Sequence, residues 1–68
     1  MVVLKKGDKV VTLKTAFHCH VHGGDVRVQI DRRSADDYAK LWELGGRVET
    51  RNFTGVWMIV PNAEVGNV

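Results

Sequence analysis

Gly23-Gly24 is the feature that most limits what this 68-residue chain can become. Two successive glycines fill both central positions of a two-residue hairpin turn, where positive φ is required. Such a turn fixes the pairing of its flanks: His22 opposite Asp25, Val21 opposite Val26, His20 opposite Arg27, Cys19 opposite Val28, His18 opposite Gln29 and Phe17 opposite Ile30. Apolar residues meet apolar ones and polar residues meet polar ones throughout, a match that a slip of one residue would destroy. The incoming strand reads as Val10–His22. Its odd positions (Val11, Leu13, Thr15, Phe17, Cys19 and Val21) form a core face, and its even positions (Thr12, Lys14, Ala16, His18, His20 and His22) an open one. That run is long for one strand, so a bend or bulge is expected near Thr15-Ala16.

The apolar start Met1–Lys5, followed by the turn composition of Lys6-Gly7-Asp8, predicts a short first strand folding back on the long one. After the central hairpin, Ser34 is a good helix N-cap, with Asp37 three residues on as a short capping box and Asp36 favourable in the first turn. Tyr38, Leu41, Trp42 and Gly45 recur at helical spacing as an apolar stripe, and Gly45-Gly46 is a stop signal. The helix is expected over Ala35–Leu44. Arg47–Phe53 and Val56–Val60 read as a second hairpin around Thr54-Gly55. A three-residue loop with Gly55 in a bulge sends Val56, Met58 and Val60 to the core and Trp57 to the open face beside Arg51. A two- or four-residue loop reverses that assignment.

The order is therefore β-β-β-α-β-β. It predicts an α+β fold, a two-layer sandwich in which one helix packs on one face of an antiparallel sheet. Residues 1–61 are expected to form a single domain and residues 62–68, where Pro61 ends the strand and no pattern follows, a flexible tail. A chain of this size buries only roughly 60% of its unfolded surface, so dimerisation would be a natural supplement to stability.

The single cysteine excludes an intramolecular disulfide, and the short apolar start is too brief for a signal peptide, which together suit a cytoplasmic protein. No membrane association is expected. Residues 1–33 hold seven Lys or Arg against three Asp, whereas residues 34–68 hold three against five acids, so an acidic partner fits the first half best.

Enzymatic activity is not expected. Cys19 and the neighbouring histidines point to opposite sides of a strand, Ser34 is explained as a cap, no glycine loop resembles a phosphate cradle, and a small-molecule substrate would lack a deep pocket. The expected function is that of a small binding protein without a cofactor, acting through self-association as a homodimer or through a protein partner. Its size suits an accessory or inhibitor protein of the kind phages and mobile elements encode. The open sheet face would carry the interface, through Lys14, His18, His20, His22, Arg27, Gln29, Arg51 and Trp57. One alternative is a nucleic-acid-binding module using Lys14, Arg27, Arg32, Arg33 and Arg51 on phosphates. Another is weak divalent-metal binding by His18, His20 and His22, because histidines two apart on a strand have Cβ atoms roughly 6–7 Å apart.

Overall fold

The computed structural model describes residues 1–66. Its elements are β1 (Val2–Lys6), β2 (Lys9–Leu13), β3 (His18–His22), β4 (Asp25–Ile30), α1 (Ala35–Glu43), β5 (Arg47–Arg51), β6 (Val56–Pro61) and β7 (Glu64–Gly66). The fold is α+β, but the strands form two antiparallel sheets where one was expected. One has three strands in the order β2-β1-β7, and the other has four in the order β3-β4-β6-β5.

The division falls within the stretch expected to be one long strand. Val10–His22 breaks at residues 14–17 into β2 and β3, which belong to different sheets, so the anticipated bend is a complete change of sheet. The central hairpin keeps the register that Gly23-Gly24 dictates from His22↔Asp25 to His18↔Gln29, with both glycines at positive φ. Phe17 lies beyond the last of these pairs and contributes a backbone N–H bond to the Gln29 carbonyl at 3.0 Å. Its ring is about half exposed, and Val21 is 61% exposed at the far end of the hairpin, so the core face of β3 fades toward both ends.

The core lies between the sheets and the helix. Val26, Val28 and Ile30 of β4 and Val56, Met58 and Val60 of β6 face Leu4 and Leu13 of the small sheet and Leu41 and Leu44 of the helix segment, all essentially inaccessible. Cys19 packs against this cluster, and burial raises the pKa of its thiol, in keeping with a small hydrophobe.

Ser34 caps α1 as expected, its Oγ accepting the Asp37 N–H at 3.3 Å. The helix ends in a Schellman motif: Gly46 N–H bonds the Leu41 carbonyl at 2.8 Å and Gly45 N–H bonds that of Trp42 at 2.9 Å, with Gly45 at φ 80°. The buried stripe, however, is Asp37, Leu41 and Leu44, flanked by Tyr38. Trp42 is 54% exposed, and the anticipated Tyr38-Leu41-Trp42-Gly45 stripe is rotated by about one position. The reason is that Asp37 does not serve a capping box. Its carboxylate is turned inward to the connector between the sheets, accepting the Lys14 N–H at 3.0 Å, the Thr15 N–H at 2.8 Å and the Thr15 hydroxyl.

The helix C-terminus is held by lysines of the first hairpin. Lys6 Nζ donates to the Leu44 carbonyl at 2.8 Å and Lys9 Nζ to that of Glu43 at 3.4 Å, placing positive charge on the negative end of the helix dipole. Lys40 Nζ reaches back from the helix to the Thr12 carbonyl at 2.7 Å. Part of the basic excess in the first half therefore serves the fold.

The second hairpin combines features of both anticipated loops. Arg51 pairs with Val56 across a four-residue loop, but a bulge between Val48 and Thr50 shifts the register, so that Val48 opposes Met58. Val56, Met58 and Val60 consequently face the core. Gly55 is not at positive φ. It is required by close approach, since a Cβ there would come within 2.3 Å of the Ile30 carbonyl oxygen.

The expected tail is also revised. Asn62, at φ 57°, turns the chain, Ala63 is buried and β7 adds to β1 with Leu4 opposite Val65. Asn67 and Val68 lie outside the described residues. The pairing runs through the backbone, so the short segment needs no alternating pattern.

Leu41→Ala is expected to lower unfolding free energy by roughly 2–5 kcal/mol in urea denaturation, whereas Trp42→Ala should cost less than about 1 kcal/mol. Equal losses at the two positions would contradict the rotated stripe.

Asp37 provides a pH test. Burial pushes its carboxyl upward, but the hydrogen bonds from Thr15 and Lys14 and the charge of Lys40 outweigh burial and hold it below the ordinary carboxylate value. A pKa depressed in the folded state supplies stability that is complete above the unfolded value of about 3.9 and is lost as pH falls through the folded one. Urea midpoints are expected to fall below about pH 4 more steeply for wild type than for Asp37→Asn. At neutral pH, Asp37→Ala should cost roughly 2–4 kcal/mol by leaving buried donors unmatched.

Candidate functional site

With Val26, Val28, Val56, Met58 and Val60 turned inward, alternation sends the intervening residues of the four-stranded sheet to its other face. No element among the described residues covers that face. Cross-strand pairing arranges it in rows: His18, Gln29 and Trp57 in one, and His20, Arg27, Ile59 and Arg47 in the next.

Trp57 lies at the centre of a group of aromatic and charged side chains. Its ring centroid is 5.6 Å from that of His20 and 6.0 Å from that of His18, with interplanar angles of 28° and 22°. The Arg27 guanidinium lies 5.2 Å from the Trp57 ring centroid, within cation–π range. Arg27 is held from the other side by Glu49, which accepts from its Nε at 3.1 Å and from Nη2. In the Trp57 row, Gln29 is 3% exposed and donates through Nε2 to Thr54 Oγ1 at 3.1 Å. The indole is thus a half-buried, positioned side chain.

Trp57, Ile59 and Pro61 succeed one another down the central strand β6, each half-buried. The result is an apolar stripe bordered on one side by Gln29, Arg27 and Asp25 of β4, with His18 and His20 beyond them on β3, and by Arg47, Glu49 and Thr50 on the other. The charged side chains on this face, Asp25, Arg27, Arg47 and Glu49, balance in sign. Ile59 and Pro61 were not named among the residues expected for the interface. The two-residue period from Trp57 would have supplied both, and the same period from Arg47 sets Glu49 on this face, where it meets Arg27.

The structure places most, but not all, of the expected residues on this surface. His18, His20, His22, Arg27, Gln29 and Trp57 belong to it. Lys14 does not: it sits in the connector between the sheets, its backbone tied to Asp37. Arg51 is also elsewhere. Paired with Val56, it lies on the helix side, its guanidinium carbon 5.9 Å from the Tyr38 ring centroid.

The residues expected for nucleic-acid contact do not form one patch. Arg27 is on the sheet face, and Arg33 is committed to Asp31, accepted by Oδ1 at 3.1 Å and Oδ2 at 3.0 Å. That pairing holds the Asp31 carboxyl down to about 2. Only Arg32 and Arg51 converge, in a cleft with Tyr38, Asn52 and Phe53. His18 and His20 are turned onto Trp57, and among the described residues no group of three His, Cys, Asp or Glu side chains is placed to hold a metal ion. No helix of the described residues is long and apolar enough to cross a membrane.

The fold and surface define a small α+β protein with an uncovered, aromatic-centred sheet face. Comparison with protein-family models, curated proteins and solved structures finds no significant match, so its function has to be argued from this geometry.

Arg27→Ala should leave stability within about 1 kcal/mol of wild type, because the Arg27–Glu49 pair is partly solvated. In a Trp42→Phe background the same change is expected to increase acrylamide quenching of Trp57 fluorescence. Unchanged quenching would show that the guanidinium does not shield the ring.

Proposed function

We propose that this is a small non-enzymatic binding protein whose uncovered sheet face associates with protein, in the first instance with a second copy of itself. The observation that carries the reading is the stripe Trp57-Ile59-Pro61, apolar along the middle of the sheet and bordered by polar side chains. Specific protein interfaces share that anatomy, an apolar centre within a polar rim, and tryptophan and arginine are enriched among the residues that dominate their energy. Trp57 is also held in place before any partner arrives, which reduces the entropy lost on binding.

The balance of charge favours a second copy. Two arginines and two acids on one face allow isologous pairing without net repulsion, each acid being available to a basic side chain of the other molecule. A strongly acidic partner would find no net attraction there. A non-catalytic role is supported by the engagement of His18 and His20 with Trp57 and by the burial of Cys19 toward the core.

Sedimentation equilibrium at low and high salt tests the proposal. Association that survives high salt and is lost in Ile59→Lys, with circular dichroism showing the fold retained, is the expected result. A chain that remains monomeric at all concentrations, or a dimer indifferent to Ile59→Lys, would overturn it.

A further inference from the structure

The cleft formed by Arg32, Tyr38, Arg51, Asn52 and Phe53 lies apart from the apolar stripe, at the junction of the helix, the loop preceding it and the turn between β5 and β6. Its volume, about 540 Å³, is within the usual range for small-ligand sites. Two features of its chemistry are left unused by the fold.

The first is charge. Of the two arginines that follow Asp31, Arg33 takes the carboxylate in a fork, leaving Arg32 outside the pair. Arg51 rests over Tyr38, and among the described residues neither Arg32 nor Arg51 has a carboxylate partner. Two guanidiniums facing one cleft, neither held in a salt bridge among the described residues, are suited to a doubly ionised oxyanion, which guanidinium can meet with paired N–H donors.

The second is Phe53. Its side chain is 98% exposed, the most exposed large apolar residue of the described chain. The turn that carries it is nevertheless closely tied. Asn52 Oδ1 accepts the N–H groups of Thr54 and Gly55, each at 3.0 Å, and the Thr54 hydroxyl at 2.7 Å. Asn52 N–H in turn donates to the Gly55 carbonyl at 2.9 Å. Gly55 is pressed against β4, where there is no room for a Cβ. An apolar ring is therefore presented to water by a fixed turn, beside two guanidiniums that have no salt-bridge partner among the described residues. Planar groups stack on such rings, and recognition of bases by an aromatic face combined with arginine on phosphate is a general means of holding single-stranded nucleic acid and nucleotides.

We infer that this cleft binds a phosphorylated nucleoside, its base against Phe53 and its phosphate between Arg32 and Arg51. The same chemistry occurs in a free mononucleotide and in a residue of a single strand. The site is independent of the sheet-face association proposed above.

The test is titration of the ¹⁵N-labelled protein with adenosine 5′-monophosphate, with a ten-nucleotide single-stranded oligothymidylate and with inorganic phosphate, following amide shifts. Either nucleotide probe is expected to move Arg51, Asn52 and Phe53 and to bind at least tenfold more tightly than phosphate. Phe53→Ala, which removes an exposed ring, and Arg51→Gln should each weaken nucleotide binding about tenfold or more while leaving the remaining spectrum in place. Similar affinity for the two nucleotide probes identifies a free nucleotide as the ligand. Much tighter oligothymidylate binding, with a log–log salt slope of about −1.4 for two phosphate contacts, identifies a single strand. The inference is overturned if neither nucleotide binds, if phosphate alone binds as tightly, or if Phe53→Ala has no effect.

Discussion

The carboxylate of Asp37 joins the parts of this fold that would otherwise have least reason to stay together. The chain leaves the small sheet at Leu13 and enters the large one at His18, and the connector has backbone donors that neither ladder satisfies. Asp37, on the helix, accepts those of Lys14 and Thr15, while the Thr15 hydroxyl donates to the same carboxylate and accepts the N–H of Asp31 at 3.1 Å. One ion thus links the connector to the helix and, through the Thr15 hydroxyl, to Asp31 just past the end of β4. Burying a carboxylate is costly unless its hydrogen-bonding capacity is met, and here it is, with Lys40 contributing charge nearby. Among the described residues no buried side-chain nitrogen or oxygen lacks a partner.

The same economy explains why composition is a poor guide to the binding surface. The basic excess in residues 1–33 suggests an acidic partner, yet Lys6 and Lys9 cap helix carbonyls and Arg33 is occupied by Asp31. Arg27 is shared between Glu49 and the Trp57 ring. Once these are assigned, the sheet face is balanced in charge, and away from that face the guanidiniums without a salt-bridge partner among the described residues are Arg32 and Arg51. One comes from each half of the sequence, so their proximity is a product of the fold and not of the charge run.

What was legible in the sequence follows from how local each determinant is. The Gly23-Gly24 hairpin could be read residue by residue because the turn and the alternating flanks specify one register. Helix limits were clear for the same reason, with Ser34 at one end and Gly45-Gly46 at the other. The orientation of the helix was not. Trp42 is large and apolar, and Asp37 resembles a capping residue, so only the remote demand of the connector explains why the acid is inside and the tryptophan outside. The division into two sheets and the addition of β7 also rest on backbone pairing between distant segments, which side-chain pattern does not encode. At the candidate site, His18, His20, Arg27 and Trp57 could be assigned by alternation, whereas Phe53 read only as a loop residue.

The bulge in β5 shows how a single backbone irregularity can determine the character of two surfaces. Strict alternation would set Arg47, Glu49 and Arg51 on one side, together with Trp57. With the irregularity between Val48 and Thr50, Val48 still meets Met58 at the core and Glu49 still meets Arg27 on the uncovered face, but Arg51 is delivered to the opposite side, opposite Val56 and over Tyr38. Without it, the sheet face would gain an unmatched positive charge, and the cleft at Phe53 would retain only Arg32. Neutrality beside Trp57 and positive charge beside Phe53 therefore have one cause. That cause lies in the ladder, where one strand accommodates a residue that its partner does not match.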